Sequence, residues 1–325
     1  QGSTDAVRPV KGADALAEFE EDVTFSNLEK VMYPQTGFTK GDVIRYYAEI
    51  APYMLPHLDG RALTLKRYPN GVAEKYFFEK RCPSHAPDWV QVVSWKPSSK
   101  DDPIRAVDAT DARTLAWLGN LAAIELHPSL AKAKVDDRPT AMVFDLDPGA
   151  PAAVGECAQV AVWLREKLED MDLESVPKTS GSKGLQIYVP LNTAGVDFEV
   201  TKTLSHALAL ILESEHPELV VSRMNTQLRK AKVFIDWSQN DRSKTTVAVY
   251  SLRARDTPTV STPLQWDEVT EVADGGDPSK LVFEAPDTLA RAKAHGDLFA
   301  PVEQVRQRIP AAVRRAVADV VERAK

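Results

Sequence analysis

Two aspartates, Asp145 and Asp147, stand one residue apart in the apolar run "MVFDLDPG" (142–149). In a strand, alternate side chains share a face, so both carboxylates project to one side while Phe144 and Leu146 point to the other. Carboxylates that close repel unless a proton or a cation sits between them, and hard oxygen ligands at a strand end suit Mg²⁺ or Mn²⁺. Taken alone, D-x-D reads equally well as a solvated strand end or a cap for the following helix. A third acid, Asp236, directly follows another apolar strand in "KVFIDWSQND". If the strands adjoin, three carboxylates would form a two-metal site for in-line phosphoryl or nucleotidyl transfer. Between them in sequence, "KTSGSKGLQIYVPL" (178–191) offers a glycine-punctuated turn whose backbone N–H groups can face an anion, with Ser180, Ser182 and Lys183 adding donors. It lacks the spacing of a P-loop. Gln186 falls on the face opposite Leu185, Ile187 and Val189, toward the same cavity.

These residues need elements to hold them. Residues 39–55 predict an amphipathic helix, with Thr39 and Asp42 placed to cap it and Val43, Ile44, Tyr47, Ile50 and Met54 at helical spacing. Strand-like runs at 61–68, 74–80 and 89–95, punctuated by Pro, Gly and Asn, predict an antiparallel meander over roughly 61–96. Then follow a buried helix over 111–126, a strand over 140–147, a helix over 152–171, a strand over 185–191, a helix over 199–215, and a hairpin of strands over 232–239 and 245–252. The tail from 289 to 325 reads as a helical packing or docking segment. This order is mixed α+β, with a division near residue 135.

A chain of 325 residues, 43% of them hydrophobic, can bury a sizeable core. Its net charge of −7 speaks mildly against indiscriminate nucleic-acid binding, yet bases gather in "LKRYPNG", "TSGSKG" and "LRKAK", so a basic cleft on an acidic body is compatible with it. No run of eighteen apolar residues and no secretory pattern at the start are present, and the expectation is a soluble cytoplasmic protein with no membrane partner. Gln1, Gly2 and Ser3 read as an expression scar. Cys82 and Cys157 stand apart, without His at metal spacing, which argues against zinc and against a disulfide framework.

Together, "VFDLDPG", "TSGSKGLQIYVPL" and "KVFIDWSQN" resemble, in order and spacing, the three motifs of the polymerase domain of bacterial ligase D and its stand-alone primase-polymerase relatives, in the archaeo-eukaryotic primase superfamily. Further matching stretches include "FSNLEKVMYP", "LKRYPNGV", "LAAIELHPS" and "TTVAVYSLRAR", so the resemblance runs from about residue 23 to about residue 300. It implies an α+β primase-polymerase fold of two mixed α/β subdomains, the second RRM-like, around a catalytic cleft. It also implies an N-terminal extension over 1–22, a catalytic domain over 23–300 and a C-terminal helical segment over 301–325. The implied activity is template-dependent extension of a primer 3′-OH at short gaps or breaks in DNA repair, with ribonucleotides favoured.

Carried over residue by residue, the resemblance makes Asp145, Asp147 and Asp236 the metal-binding carboxylates of a two-metal Mn²⁺ or Mg²⁺ site. Ser180, Lys183, Gln186, Gln239, Arg253 and His127 match positions at the incoming NTP or dNTP. Asn27, Lys30 and Lys40 resemble a pocket for the 5′-phosphate of gapped or broken DNA, while Lys66, Arg67, Phe77, Phe78 and Arg229 match contacts to template or primer. A Ku-type end-binding protein and a DNA ligase are the implied protein partners. Residue by residue, blander roles stand beside these: Lys30 and Lys40 as solvated lysines, His127 as a helix terminator, and one of Phe77 and Phe78 as a core residue on the far face of its strand. One departure stands out, since many members carry His where this chain has Gln186, and an amide can neither bring a positive charge nor shuttle a proton. Two rival functions are a haloacid-dehalogenase-type phosphatase, whose nucleophile strand "VFDLDPG" resembles but for Pro148, and a DNA-end-binding module without chemistry.

Overall fold

The structure, a computed structural model, describes residues 14–98 and 102–323. Most of the 1–22 extension, with Gln1, Gly2 and Ser3, lies outside the described residues. A helical turn α1 (Asp14–Ala17) and a small hairpin, β1 (Val31–Tyr33) with β2 (Phe38–Thr39), lead into α2 (Lys40–Met54). The expected capping box closes the helix: Asp42 N–H donates to Thr39 Oγ1 at 3.2 Å and Thr39 N–H to Asp42 Oδ2 at 2.8 Å. Its stripe of Val43, Ile44, Tyr47, Ile50 and Met54 is fully buried.

The first sheet is assembled from β3 (Leu63–Arg67), β4 (Phe77–Glu79), β5 (Val92–Trp95), β6 (Ile104–Val107) and, after α3 (Ala112–Asn120), β7 (Ala123–Pro128). Its order is β4-β3-β6-β5, with β7 also on β3. The expected meander over 61–96 is therefore corrected: β3 and β4 pair, but β5 pairs with β6 rather than with β4. The helix expected over 111–126 is likewise divided. It ends at Asn120, Ala122 takes a left-handed φ of 57°, and the remaining apolar run becomes β7. A short apolar run is ambiguous between helix and strand from periodicity alone. Here pairing with β3 over five positions decides it.

The second sheet arises from β8 (Ala141–Pro148), α4 (Val154–Glu169), β9 (Val176–Thr179), β10 (Leu185–Pro190), α5 (Phe198–Glu215), β11 (Val220–Val221) and β12 (Val233–Asp236). Its order is β11-β12-β8-β10-β9; β11 lies parallel to β12 and the other neighbours are antiparallel. Leaving β11 aside, a βαββαβ unit whose strands take the order 4-1-3-2 is the RRM-like arrangement. The hairpin expected to end the domain does not form. Residues 245–252 contribute only isolated bridges among the described residues and lie along β7, where Thr246 N–H donates to the Pro128 carbonyl and Ala248 N–H to that of Leu126. Helices α6 (Trp266–Ala273), α7 (Ala285–His295), α8 (Pro301–Gln304) and α9 (Ala311–Arg323) complete the chain. The helical tail is thus broken, first at Gly296 and again over 305–310.

β8 explains how the two cores meet. Met142, Phe144 and Leu146 enter the core beneath α4 and α5, while Ala141 and Val143, on the opposite face, join the core shared with α2 and the first sheet. Two positions further along that second face are Asp145 and Asp147. One strand face passes from packed interior to exposed surface at Asp147.

Candidate active site

Side chains directly opposed across an antiparallel pair lie on the same face, within about 5.5 Å at Cβ. Asp145 is opposed to Asp236 of β12 on one side and to Gln186 of β10 on the other, and Gln186 is in turn opposed to Lys178 of β9. A single rung, Asp236–Asp145–Gln186–Lys178, therefore crosses four strands on the cleft side, with Asp147 next along β8. Burial, together with Asp147 and Asp236, pushes the Asp145 carboxyl up to about 7, although Gln186 and Lys178 pull it down. Asp147 is also raised, by the desolvating walls of the cleft and by Asp236, against the pull of Arg229.

Such crowding of negative charge fits a divalent cation, and an all-carboxylate donor set is the chemistry that Mg²⁺ and Mn²⁺ prefer. Among the described residues, no three His, Cys, Asp or Glu side chains are drawn together tightly enough to hold a metal as they stand. Asp236 is engaged elsewhere: Oδ1 accepts from the Ser238 hydroxyl at 2.6 Å and Oδ2 from Gln239 Nε2 at 2.8 Å. Lys244 backs Ser238 through a further hydrogen bond.

The Ser180–Gly184 turn is built from within. Ser180 Oγ accepts from the N–H groups of Ser182 and Gly184 at 3.2 and 3.1 Å, and Gly181 sits at φ 68°, so Ser180 shapes the loop more than it reaches out of it. Lys183 is exposed at the tip, near Asp147. Arg253 is clamped between the two sheets: Nη1 donates to the Ser180 carbonyl at 2.6 Å and Nε lies 3.4 Å from Glu125 Oε1. Beside the loop, a cleft of about 310 Å³ is lined by Pro148, Val154, Ser182, Lys183, Gly184 and Phe283.

Glu125 of β7 is the residue around which the remaining cations collect. Its carboxylate meets His127 Nε2 at 2.9 Å, the Ala254 N–H at 3.0 Å, Arg253 at 3.4 Å and Lys66 at 3.8 Å. Burial works against its charge, but His127, Arg253 and the Ala254 N–H outweigh it and hold Glu125 down at about 2. Burial lowers His127. Lys66 is opposed to both Glu125 and Phe78, and its ammonium lies over Tyr76 at 4.2 Å. Arg67 lies over Phe77 at 5.1 Å and bonds Glu79. Phe77 and Phe78 are both exposed, at 43% and 56%, which corrects the expectation that one of them enters the core. β4 is a three-residue edge strand, and only side chains such as Arg67, Lys66 and Tyr76 lie against its two rings.

Lys30 and Lys40 form a separate cluster. Lys30 Nζ donates to the Pro69 carbonyl at 2.6 Å and Asn70 Oδ1 at 3.0 Å; Lys40 Nζ donates to Ser26 Oγ at 3.2 Å. Burial and the nearby Lys30 lower Lys40, which at 6% exposure is no solvated surface lysine. Asn27 lies beside them in a left-handed turn, φ 54°. Arg229 stacks on Phe234 at 3.7 Å, and Phe234 opposes Asp147. Gly149 allows this approach, since a Cβ there would lie 1.9 Å from the Arg229 carbonyl oxygen.

A family model described as "LigD, primase-polymerase domain" matches residues 39–299. The chain belongs to that family. It is accordingly a polymerase domain of the nucleotidyltransferase class. The "Multifunctional non-homologous end joining protein LigD" of Mycolicibacterium smegmatis is 42% identical over 285 residues, 87% of this chain and 36% of that protein. The "Bifunctional non-homologous end joining protein LigD" of Bacillus subtilis is 35% identical over 245 residues, 75% and 39% of the respective chains. Among solved structures, the polymerase domain of Mycobacterium tuberculosis ligase D in complex with DNA matches with a TM-score of 0.79 at 38% identity, over 88% of this chain and 99% of that one. This LigD-family domain spans little more than a third of the length of those two curated relatives. Among the described residues no helix is long and apolar enough to cross a membrane.

Two residues of this primase-polymerase domain escaped the sequence reading. Glu125 lies within the "LAAIELHPS" stretch, where the apolar run predicts a helix and so hides the face that Glu125 shares with His127 on β7. Lys178 opened the loop motif and carried no signal beyond a lysine in an apolar neighbourhood. Its two-residue offset from Ser180 along a strand was the available clue.

Proposed function

We propose that this domain extends a primer 3′-OH on a DNA template at short gaps or breaks, using NTPs in preference to dNTPs, and that Asp145, Asp147 and Asp236 hold two Mn²⁺ or Mg²⁺ ions. The observation that carries this reading is the rung that brings Asp236 opposite Asp145 beside Asp147, at the end of β8 where the strand passes from buried to exposed. When bound, the metals supply an activated attacking oxygen and neutralise charge on the phosphates. The chain's own residues do the rest. The backbone turn at 180–184 and Lys183 face the triphosphate, with Arg253 and His127 set alongside by Glu125, and Gln239 borders Asp236. Phe77 and Phe78 offer stacking faces to template bases, as exposed aromatics do in single-strand binders. Arg229 lies where the primer end would approach Asp147, and Lys30, Lys40 and Asn27 take the downstream 5′-phosphate through charge-assisted bonds.

Break joining, with a Ku-type end-binding protein and a ligase as partners, is the setting this reading favours, in keeping with the names of its relatives. A phosphatase reading has less support: Pro148 stands between Asp147 and Gly149, no Ser or Thr directly follows, and a third carboxylate, Asp236, lies opposite Asp145 on the adjoining strand. Extension of a gapped, 5′-phosphorylated duplex, with Mn²⁺ or Mg²⁺ and with NTPs or dNTPs, tests the proposal. The wild type is expected to add nucleotides and Asp145→Ala/Asp147→Ala to add none; a variant that extends as well as the wild type removes the metal assignment.

A further inference from the structure

We propose that Lys178 is a positioning residue of the carboxylate site, acting on Asp145 through Gln186. Lys178 has no exposed surface, and its ammonium has three donors to place. All three have neutral acceptors: Gln186 Oε1 at 2.6 Å, Ser261 Oγ at 2.5 Å and the Val247 carbonyl at 3.3 Å. Ser261 in turn donates its own proton to the Thr179 carbonyl at 2.8 Å, which leaves its lone pairs for the lysine.

The consequence falls on Gln186. An amide can be turned either way, but an ammonium accepts nothing, so a flipped amide would set N–H against N–H. Lys178 therefore fixes the carbonyl end of Gln186 toward itself and leaves the NH₂ end for Asp145, its neighbour across the rung. Lys178 donates both to Ser261 and to the amide oxygen, and the far end of the amide faces the carboxylate. Gln186, 3% exposed and held at its carbonyl end by Lys178, then serves as the support that orients a metal ligand and not as a contact to the incoming nucleotide. Burial pulls the Lys178 pKa well below its ordinary value and Asp145 pulls it back up, while the three acceptors around its Nζ hold it as a donor.

This rests on reading Asp145 as a metal ligand, and the test separates the two ideas. Mn²⁺ binding to the nucleotide-free protein is followed by the EPR signal of the free ion, for the wild type and for Asp145→Asn, Lys178→Met, Lys178→Gln, Gln186→Leu and the Lys178→Met/Gln186→Leu double variant. Outer partners of metal ligands typically govern affinity by about 10- to 100-fold, so Lys178→Met and Gln186→Leu should each weaken Mn²⁺ by at least about tenfold. Because the two act as one unit, the double variant should be no weaker than the worse single one. Lys178→Gln, which can still donate to the amide oxygen, should retain more affinity than Lys178→Met; it also carries the test with Gln186→Leu if the methionine variant does not fold by near-UV circular dichroism. Wild-type affinity in the Lys178 variants, or losses that multiply in the double variant, overturns the inference. If Asp145→Asn binds Mn²⁺ as the wild type does, the carboxylate-site reading itself fails.

Discussion

Substituting Gln for Glu125 preserves the shape of the side chain and removes the negative charge that Arg253, Lys66 and His127 share. A carboxyl held at about 2 in the fold, against about 4.5 when unfolded, contributes about 3 kcal/mol of stability at neutral pH. With the side chain only 3% exposed, solvent screening takes little of this away. The sign follows from the direction. Because the folded value lies below the unfolded one, the contribution is complete above about pH 4.5 and disappears as the pH falls toward 2, being about 2 kcal/mol smaller at pH 3. Urea unfolding of wild type and Glu125→Gln at pH 7 should show a gap of about 3 kcal/mol that narrows markedly at pH 3. A gap that is equal at both pH values would show that the charge is not what stabilises the cluster. Loss of the anion also frees Arg253 from one of its two anchors, so the nucleotide KM should rise more than kcat falls.

Other expectations follow from the same geometry. Asp145 titrates above its unfolded value, so its charge opposes folding as the pH rises past about 4 toward 7; Asp145→Asn should raise the stability of the metal-free protein by about 1–3 kcal/mol at pH 8 and by little at pH 4, as read by thermal melts. Phe78→Ala, at an exposed site, should change stability by less than about 0.5 kcal/mol, yet cost about 1–3 kcal/mol in single-stranded template affinity measured by fluorescence anisotropy. Lys40→Met should abolish the preference for a 5′-phosphate at the gap in extension assays while leaving the Tm unlowered, since burial already disfavours the charge.

What the sequence made legible was what repeats with a period. Asp145 and Asp147 announced themselves because a strand alternates, and α2 because its apolar stripe and Thr39/Asp42 cap agree. That Asp236 stands opposite Asp145 depends on β12 crossing to β8 after α5, and pairing partners leave no local trace. β7 was lost to a helix because "LAAIEL" suits both periods, and with it went the cluster at Glu125. Residues 245–252 look like a strand and are bonded like one only in places. Ser180 and Gln186 were noticed for their polarity, yet the structure turns their polar atoms inward, to Gly184 and to Lys178. A sequence states which groups are present, whereas their partners are set by tertiary contacts.

The face of β8 that runs from Ala141 and Val143 to Asp145 and Asp147 bears on folding fidelity. A slip of one residue in its pairing would swap the two faces and drive both aspartates into the apolar core under α4 and α5, at a cost of several kcal/mol each. A slip of two would keep the faces but break the opposition of Asp145 with Asp236. The apolar half of the strand admits Ala141 and Val143 to their core in one alignment, so the packing that selects the native register also sets the spacing of the acids. Mispaired chains thereby lose stability together with the carboxylate cluster, and proteolysis removes them.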